Sequence, residues 1–230
     1  MIKLNIGKRI GLGFTIILIF LVILSTSSIF SLQAIKKEVE AVHDAQQRLT
    51  LQTQIQSKFN AATGYFRGFV AYGDEKMYQN FENIMNEIIE LENQWLKIAL
   101  KENVGIAENL IQISTQYRDT FLNEAAPLVR AHYQALANGN IAKAQEHKEG
   151  IIKLASTKFV PQAQEVQMLL EEVVKGNNVI VDDGLKSTLQ SANRTILLSI
   201  ILAIGAISLG IALSIYLARS ITVPIVAATN

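Results

Sequence analysis

The chain has 230 residues, half of them hydrophobic, and its 21 basic and 20 acidic side chains leave a formal net charge of +1. Nothing in that balance attracts nucleic acid or selects an acidic partner. The absence of cysteine excludes disulfides, thiolate metal sites and covalent c-type haem, so any domain in this chain is held together by its core.

Residues 1–9 carry Lys3, Lys8 and Arg9 and are followed by an uncharged stretch from 10 to 35 that includes IGLGFTIILIFLVIL. A hydrocarbon core of about 30 Å needs roughly 20 helical residues, so a transmembrane helix is predicted over 10–32. Basic residues ahead of an apolar run also suit a cleavable signal peptide. The run is too long for that, and STSSIFSLQAIKK offers no clear small-x-small cleavage site, which favours an uncleaved helix.

Residues 33–194 contain only Pro127 and Pro161 and show no sustained alternation of apolar and polar positions, which predicts an all-α segment. Turn signals at Tyr72-Gly73-Asp74, Glu102-Asn103-Val104-Gly105 and Ala137-Asn138-Gly139-Asn140 divide it into four helices, at about 33–72, 75–101, 104–137 and 141–194. Steps of three and four mark apolar seams: Met77, Phe81, Ile84, Ile88, Leu91, Trp95 and Ile98 in the second helix; Leu110, Ile113, Tyr117, Phe121 and Leu128 in the third; Ala163, Val166, Leu170, Val173 and Ile180 in the fourth. Long helices joined by short turns fold back on one another, so an antiparallel up-down four-helix bundle is expected. Kinks are expected at Pro127 and Pro161, and Pro161 also suits a real break. KGNNVIVDDG, 175–184, is a poor helix former, which leaves a loosened or interrupted segment open there.

A second uncharged stretch, 195 to 218, predicts a second transmembrane helix over 195–217, and Arg219 follows it in the final segment, 218–230. Lys3, Lys8, Arg9 and Arg219 lie outside 33–194, which holds the other 17 basic residues and all 20 acidic ones. The positive-inside rule then puts both termini in the cytoplasm and 33–194 outside, as a soluble domain of formal charge −3 on a two-pass protein of the cytoplasmic (inner) membrane.

In the first helix, Thr53, Gln56, Asn60, Thr63 and Arg67 form a polar row beside an apolar one, Leu51, Ile55, Phe59, Ala62, Phe66 and Phe69. The polar row reads as a solvated face, a dimer seam or a ligand-facing wall, and Gln56, Asn60, Thr63 and Arg67 are the candidate ligand-binding residues. Arg67, flanked by Phe66 and Phe69, has the fork to clamp a carboxylate, or it packs its stem on those rings and bonds a helix-end carbonyl. Arg118 and Arg130 are weaker candidates of the same kind. His43, His132 and His147 are far apart and lack metal-ligand spacing, so no metal site or cofactor is expected. No catalytic triad order, P-loop or glycine-rich nucleotide fingerprint is present, which argues against an enzyme.

Two spans flanking a four-helix outer segment, followed at once by Arg219-Ser220-Ile221-Thr222-Val223-Pro224-Ile225, resemble the N-terminal half of bacterial methyl-accepting chemotaxis receptors of the four-helix-bundle sensor class. RGFVAYGDEKMYQNF (67–81) and ALANGNIAKAQEH (135–147) are similar to the family's two hairpins, and ITVPI to the start of a HAMP linker, with Val223 where a basic residue is common. The resemblance implies a homodimeric receptor that binds a small extracytoplasmic solute (an amino acid, organic acid or anion) near the dimer interface. It further implies relay through the fourth helix and second span to Arg219, Ile221 and Pro224, and on to cytoplasmic signalling partners. Arg67 matches the hairpin arginine by position. Sensor histidine kinases and diguanylate cyclases share this front end, and a membrane-anchored scaffold that signals nothing is the remaining alternative. Under the receptor reading, the end at Asn230 is expected to be a truncation ahead of an output domain.

Overall fold

The structure, a computed structural model, describes residues 6–229, except for the side chains of 6, 7, 9, 217 and 220–229. It is all-α: among the described residues there is no strand. Six α-helices follow one another among the described residues, α1 (Ile6–Tyr72), α2 (Glu75–Ile98), α3 (Val104–Thr120), α4 (Ala126–Ala137), α5 (Ile141–Leu154) and α6 (Val160–Thr229). A 3-10 turn, Lys101–Asn103, precedes α3, and π turns at Phe121–Ala125 and Ala155–Phe159 join α3 to α4 and α5 to α6. The second predicted helix therefore stops three residues early, and the third and fourth are each divided by a π turn rather than by a loop. The chain forms two compact units, His43–Val181 and the pair of segments Met1–Val42 with Asp182–Asn230.

In the unit His43–Val181, four helical runs supply one core. From α1 come Ile55, Phe59, Ala62, Phe66 and Phe69, all buried, while Leu51, the remaining member of the apolar row predicted for it, is half-buried against the core. From α2 come Phe81, Met85, Ile88 and Trp95, so Ile84 and Leu91 are half-buried flanks of the seam rather than its centre, and Ile98 is exposed. The other runs add Leu110, Ile113, Tyr117 and Phe121, then Phe159, Val166, Leu170 and Val173. Rings at the centre contact one another at 3.9 Å (Phe81 to Phe121), 4.5 Å (Phe66 to Phe159) and 5.0 Å (Tyr117 to Phe159) between centroids, distances at which aromatic pairs add to simple burial.

Two turns close the helices by local chemistry. At the first, Gly73 has φ 63° and Asp74 caps α2 by accepting from the Lys76 N–H at 2.9 Å. A Cβ on Gly73 would stand 2.7 Å from the Tyr133 ring, so close approach as well as backbone conformation requires glycine there. Tyr133 also donates its hydroxyl to the Ala71 carbonyl. At the second turn Gly139 has φ 70° and Asn140 accepts from the Lys143 N–H.

Both prolines act through the turn ahead of them. The Ala126 N–H donates to Phe121 O and the Val160 N–H to Ala155 O, each bond one residue before a proline. Proline lacks an N–H and its ring crowds the carbonyl four residues back, and a widened π turn relieves that crowding without ending the helix. One inserted residue also turns the face that follows by about 100°. Ala125 and Ala126 are accordingly both buried after Phe121 and before Val129.

In the other unit, the apolar beginning of α1 lies beside the end of α6. Phe20, with Ile16, Ile17 and Leu21, shares a small cleft with Ala206 and Leu209. Ser187 and Ser191 donate to Glu38 at 3.1 and 3.2 Å, and Gly184 lets Val42 approach closely. The helical runs Ile10–Tyr72 and Ile141–Tyr216 each contain an 18-residue window of high mean hydropathy, 2.4 and 2.7, of which only 6% and 0% is buried. By length and composition both can cross a membrane.

Candidate functional site

Within His43–Val181 a cavity of about 500 Å³ opens between α1, Tyr117 of α3 and the stretch where the second π turn passes into α6. Its polar rim is Asn60, Thr63 and Arg67 from α1 with Gln164 and Gln167 from α6. Phe66, Tyr117 and Phe159 form its floor, each under 10% exposed, and Gly64 and Ala163 leave room above it. The π turn matters here because it carries Ala155 and Phe159 and brings Val160 to the wall.

Three of the four predicted ligand residues, Asn60, Thr63 and Arg67, therefore meet at one cavity. Gln56 does not line it. It is half-buried on α1, and four residues, or about 6 Å of helix, separate it from Asn60 at the cavity's near end. Thr53 lines a separate shallow groove on the outer side of α1, with Leu49, Thr50, Gln54 and Ser57. Arg219 is exposed on α6, and the side chains of Ile221 and Pro224 lie outside the described residues.

The electrostatics of the cavity are one-sided. Arg67 has no hydrogen-bond or ion-pair partner among the described residues, and no acidic side chain is in the lining. The other two predicted arginines are satisfied within the protein. Arg118 bonds Asp119 at 2.9 Å and Asn86 at 3.0 Å. Arg130 grips Glu75 through two bonds of 2.7 and 2.8 Å and lies 4.4 Å over the Tyr78 ring. The hydrogen bonds from Arg130 hold the Glu75 carboxyl below its ordinary range. Burial pushes the Tyr117 hydroxyl up to about 12, against the opposing pull of Thr63 and Arg67, so at neutral pH it stays a neutral donor. Asn60 and Gln167 face each other across the mouth at 3.4 Å.

Two buried polar groups escaped the sequence reading. Glu92 of α2 is fully buried, accepts from the Ser114 hydroxyl at 2.7 Å through one oxygen, and has no partner for the other among the described residues. Burial raises its carboxyl to about 7. Elsewhere, Arg48 donates to Asn177 Oδ1 at 3.2 Å, and Asn177 donates to Gln52 Oε1 at 3.1 Å and to Val173 O at 3.2 Å, a polar layer joining α1 and α6. The signal was available in the spacing: Arg48 and Gln52 continue the steps of three and four toward Ile55, and Glu92 and Asn177 do the same between Ile88 and Trp95 and after Val173.

His132 is engaged with the Ala144 carbonyl at 2.7 Å, and among the described residues no group of His, Cys, Asp or Glu is placed to hold a metal ion. Comparison with known proteins returned no matching family model, curated protein or solved structure.

Proposed function

We propose that the chain is the sensing half of a dimeric transmembrane receptor of the chemoreceptor type, in which helices 33–194 form an up-down four-helix bundle outside the cytoplasmic membrane. In this reading the bundle binds a small anionic solute at the Arg67 cavity and passes the event along α6 toward the HAMP-like segment after Arg219. The observation that carries it is the convergence of Asn60, Thr63 and an unpaired Arg67 on one cavity whose lining has no acid. A guanidinium without a counter-ion, set among amides and hydroxyls, has the donors an anion needs and nothing to repel it.

The relay has physical support in α6. The helix runs unbroken from Val160 at the cavity wall to Thr229, so the predicted weak point at 175–184 does not interrupt it. A ligand shifts an equilibrium only by its difference in affinity for two arrangements, and a continuous helix is a suitable element to carry such a shift.

The experiment is a thermal-shift screen of the full chain in detergent against amino acids, organic acids and inorganic anions, repeated on Arg67→Ala. A hit whose affinity falls at least ten-fold in the variant supports the reading. Hits that bind Arg67→Ala as well as the parent would remove Arg67 from the site.

A further inference from the structure

We infer that Glu92, Trp95 and Gln52 form a proton-operated switch in the core of His43–Val181. On losing its proton to water, Glu92 keeps Ser114 on one carboxylate oxygen and draws the N–H donors of Trp95 and Gln52 onto the other. The movement of Gln52 then reaches α6 through its bond to Asn177. The switch stands independently of the Arg67 cavity and of membrane topology.

Three fully buried side chains each leave one polar atom without a partner among the described residues: Glu92 Oε2, Trp95 Nε1 and Gln52 Nε2. Each such atom has given up water and gained nothing in return. They are complementary, since one is a carboxyl oxygen and the other two are N–H donors. Placement brings them together. Trp95 follows Glu92 by three positions on α2, so the two are neighbours on one helix face. Gln52 stands 20 residues before Tyr72 and Trp95 stands 20 residues after Glu75, which sets them at the same height in the hairpin of α1 and α2. The ion pair of Lys58 with Glu87, 14 residues before and 12 after the same turn, fits that register.

With its proton in place, Glu92 uses only the Ser114 hydroxyl of α3, at 2.7 Å, and both N–H donors stay idle. Without it, a buried anion stands beside them, and hydrogen bonds to a charged acceptor are the stronger kind. Few other charges face this core. Among its buried side chains α1 presents Arg48, one turn from Gln52, and α3 presents Tyr117, while Ile88 of α2 and Leu170, Val173 and Asn177 of α6 carry no ionisable group. Arg48 bonds Asn177 and has no acidic partner among the described residues, so its charge favours movement of the anion toward Gln52. Burial holds the Glu92 carboxyl near 7, and the idle donors offset part of that cost when they engage.

Trp95 is the chain's only tryptophan, so its fluorescence reports on the switch directly. The test is a pH titration of Trp95 emission in the full chain in detergent, on the parent, Glu92→Gln, Gln52→Leu and Ser114→Ala, with helix content as the folding control. Hydrogen exchange of segment 170–181 is compared in the parent and Glu92→Gln on both sides of the step. The expected result for the parent is one step with a midpoint between 4.5 and about 7, at constant helix content, and none in Glu92→Gln. Gln52→Leu and Ser114→Ala should each raise the midpoint by about half a unit or more, because each removes a donor to the charged form. Above the step, segment 170–181 should exchange faster in the parent than in Glu92→Gln, and below it equally. A flat parent titration, or a step that survives Glu92→Gln, overturns the switch. An unmoved midpoint in Gln52→Leu, or equal exchange above the step, overturns its route to α6.

Discussion

Glu92 is a residue whose protonation the fold controls strongly. Its carboxyl moves from an ordinary 4.5 to about 7 because burial disfavours the charged form more than the Ser114 bond favours it. The folded state therefore holds a proton that the unfolded state releases between those values. Stability from this group is complete below about 4.5 and is lost as pH rises toward 7, a change of about 3 kcal/mol at 1.36 kcal/mol per unit. Melting curves between pH 5 and 8 should show the midpoint falling as pH rises, and Glu92→Gln should flatten that fall and be the more stable protein at pH 8. A parent midpoint that is level or rises over this window would mean that Glu92 is hydrated or paired. The reason Glu92 was not legible in advance is physical: spacing announces which face is buried, but a carboxyl is ordinarily assigned to solvent, and only the position of Ser114 across the seam makes it tolerable. That Asn60, Thr63 and Arg67 lie at the edge of the core was legible because a polar row beside an apolar one borders it, whereas which members of that row line the cavity depends on where the cavity ends, which no periodicity encodes.

At the scale of the element, α6 shows how far packing overrides propensity. Lys175 to Gly184 has two glycines and two asparagines, yet it stays helical because Asn177 occupies a seam position and its amide is used on both sides, by Arg48 and by Gln52. The glycines in it differ. A Cβ on Gly176 meets nothing, so Gly176→Ala should stabilise the chain by up to about 1 kcal/mol through helix propensity alone. A Cβ on Gly184 would stand 2.5 Å from Val42 Cγ2, so Gly184→Ala must displace the helix or the valine and should destabilise by about 1–3 kcal/mol. Denaturant melts of the two variants check both signs, and equal effects would show that the close approach at Gly184 is not needed. The helix boundaries at Tyr72, Glu75 and Ala137 were readable from glycine, aspartate and asparagine at the turns. The π turns were not, because a proline announces that a bond is lost but not whether the helix breaks, kinks or widens.

For the whole molecule, the proposed receptor role depends on where the two apolar runs lie. Their exposed faces, at windows of mean hydropathy 2.4 and 2.7, are costly in water and favourable in lipid, and the proposed orientation rests on the positive-inside rule applied to the basic residues outside 33–194. The all-α fold and both runs were legible in the sequence, since they follow from helical periodicity and from length without charge. The absence of any native cysteine makes a direct measurement possible. Glu102→Cys and Ala228→Cys, each alone in the full chain, are exposed to a membrane-impermeant maleimide in intact cells and again after permeabilisation. The expected result is labelling of the Glu102→Cys protein in intact cells and of the Ala228→Cys protein only once the membrane is opened. Labelling of both in intact cells, of neither, or in the reverse order would contradict a sensor displayed outside on two membrane spans.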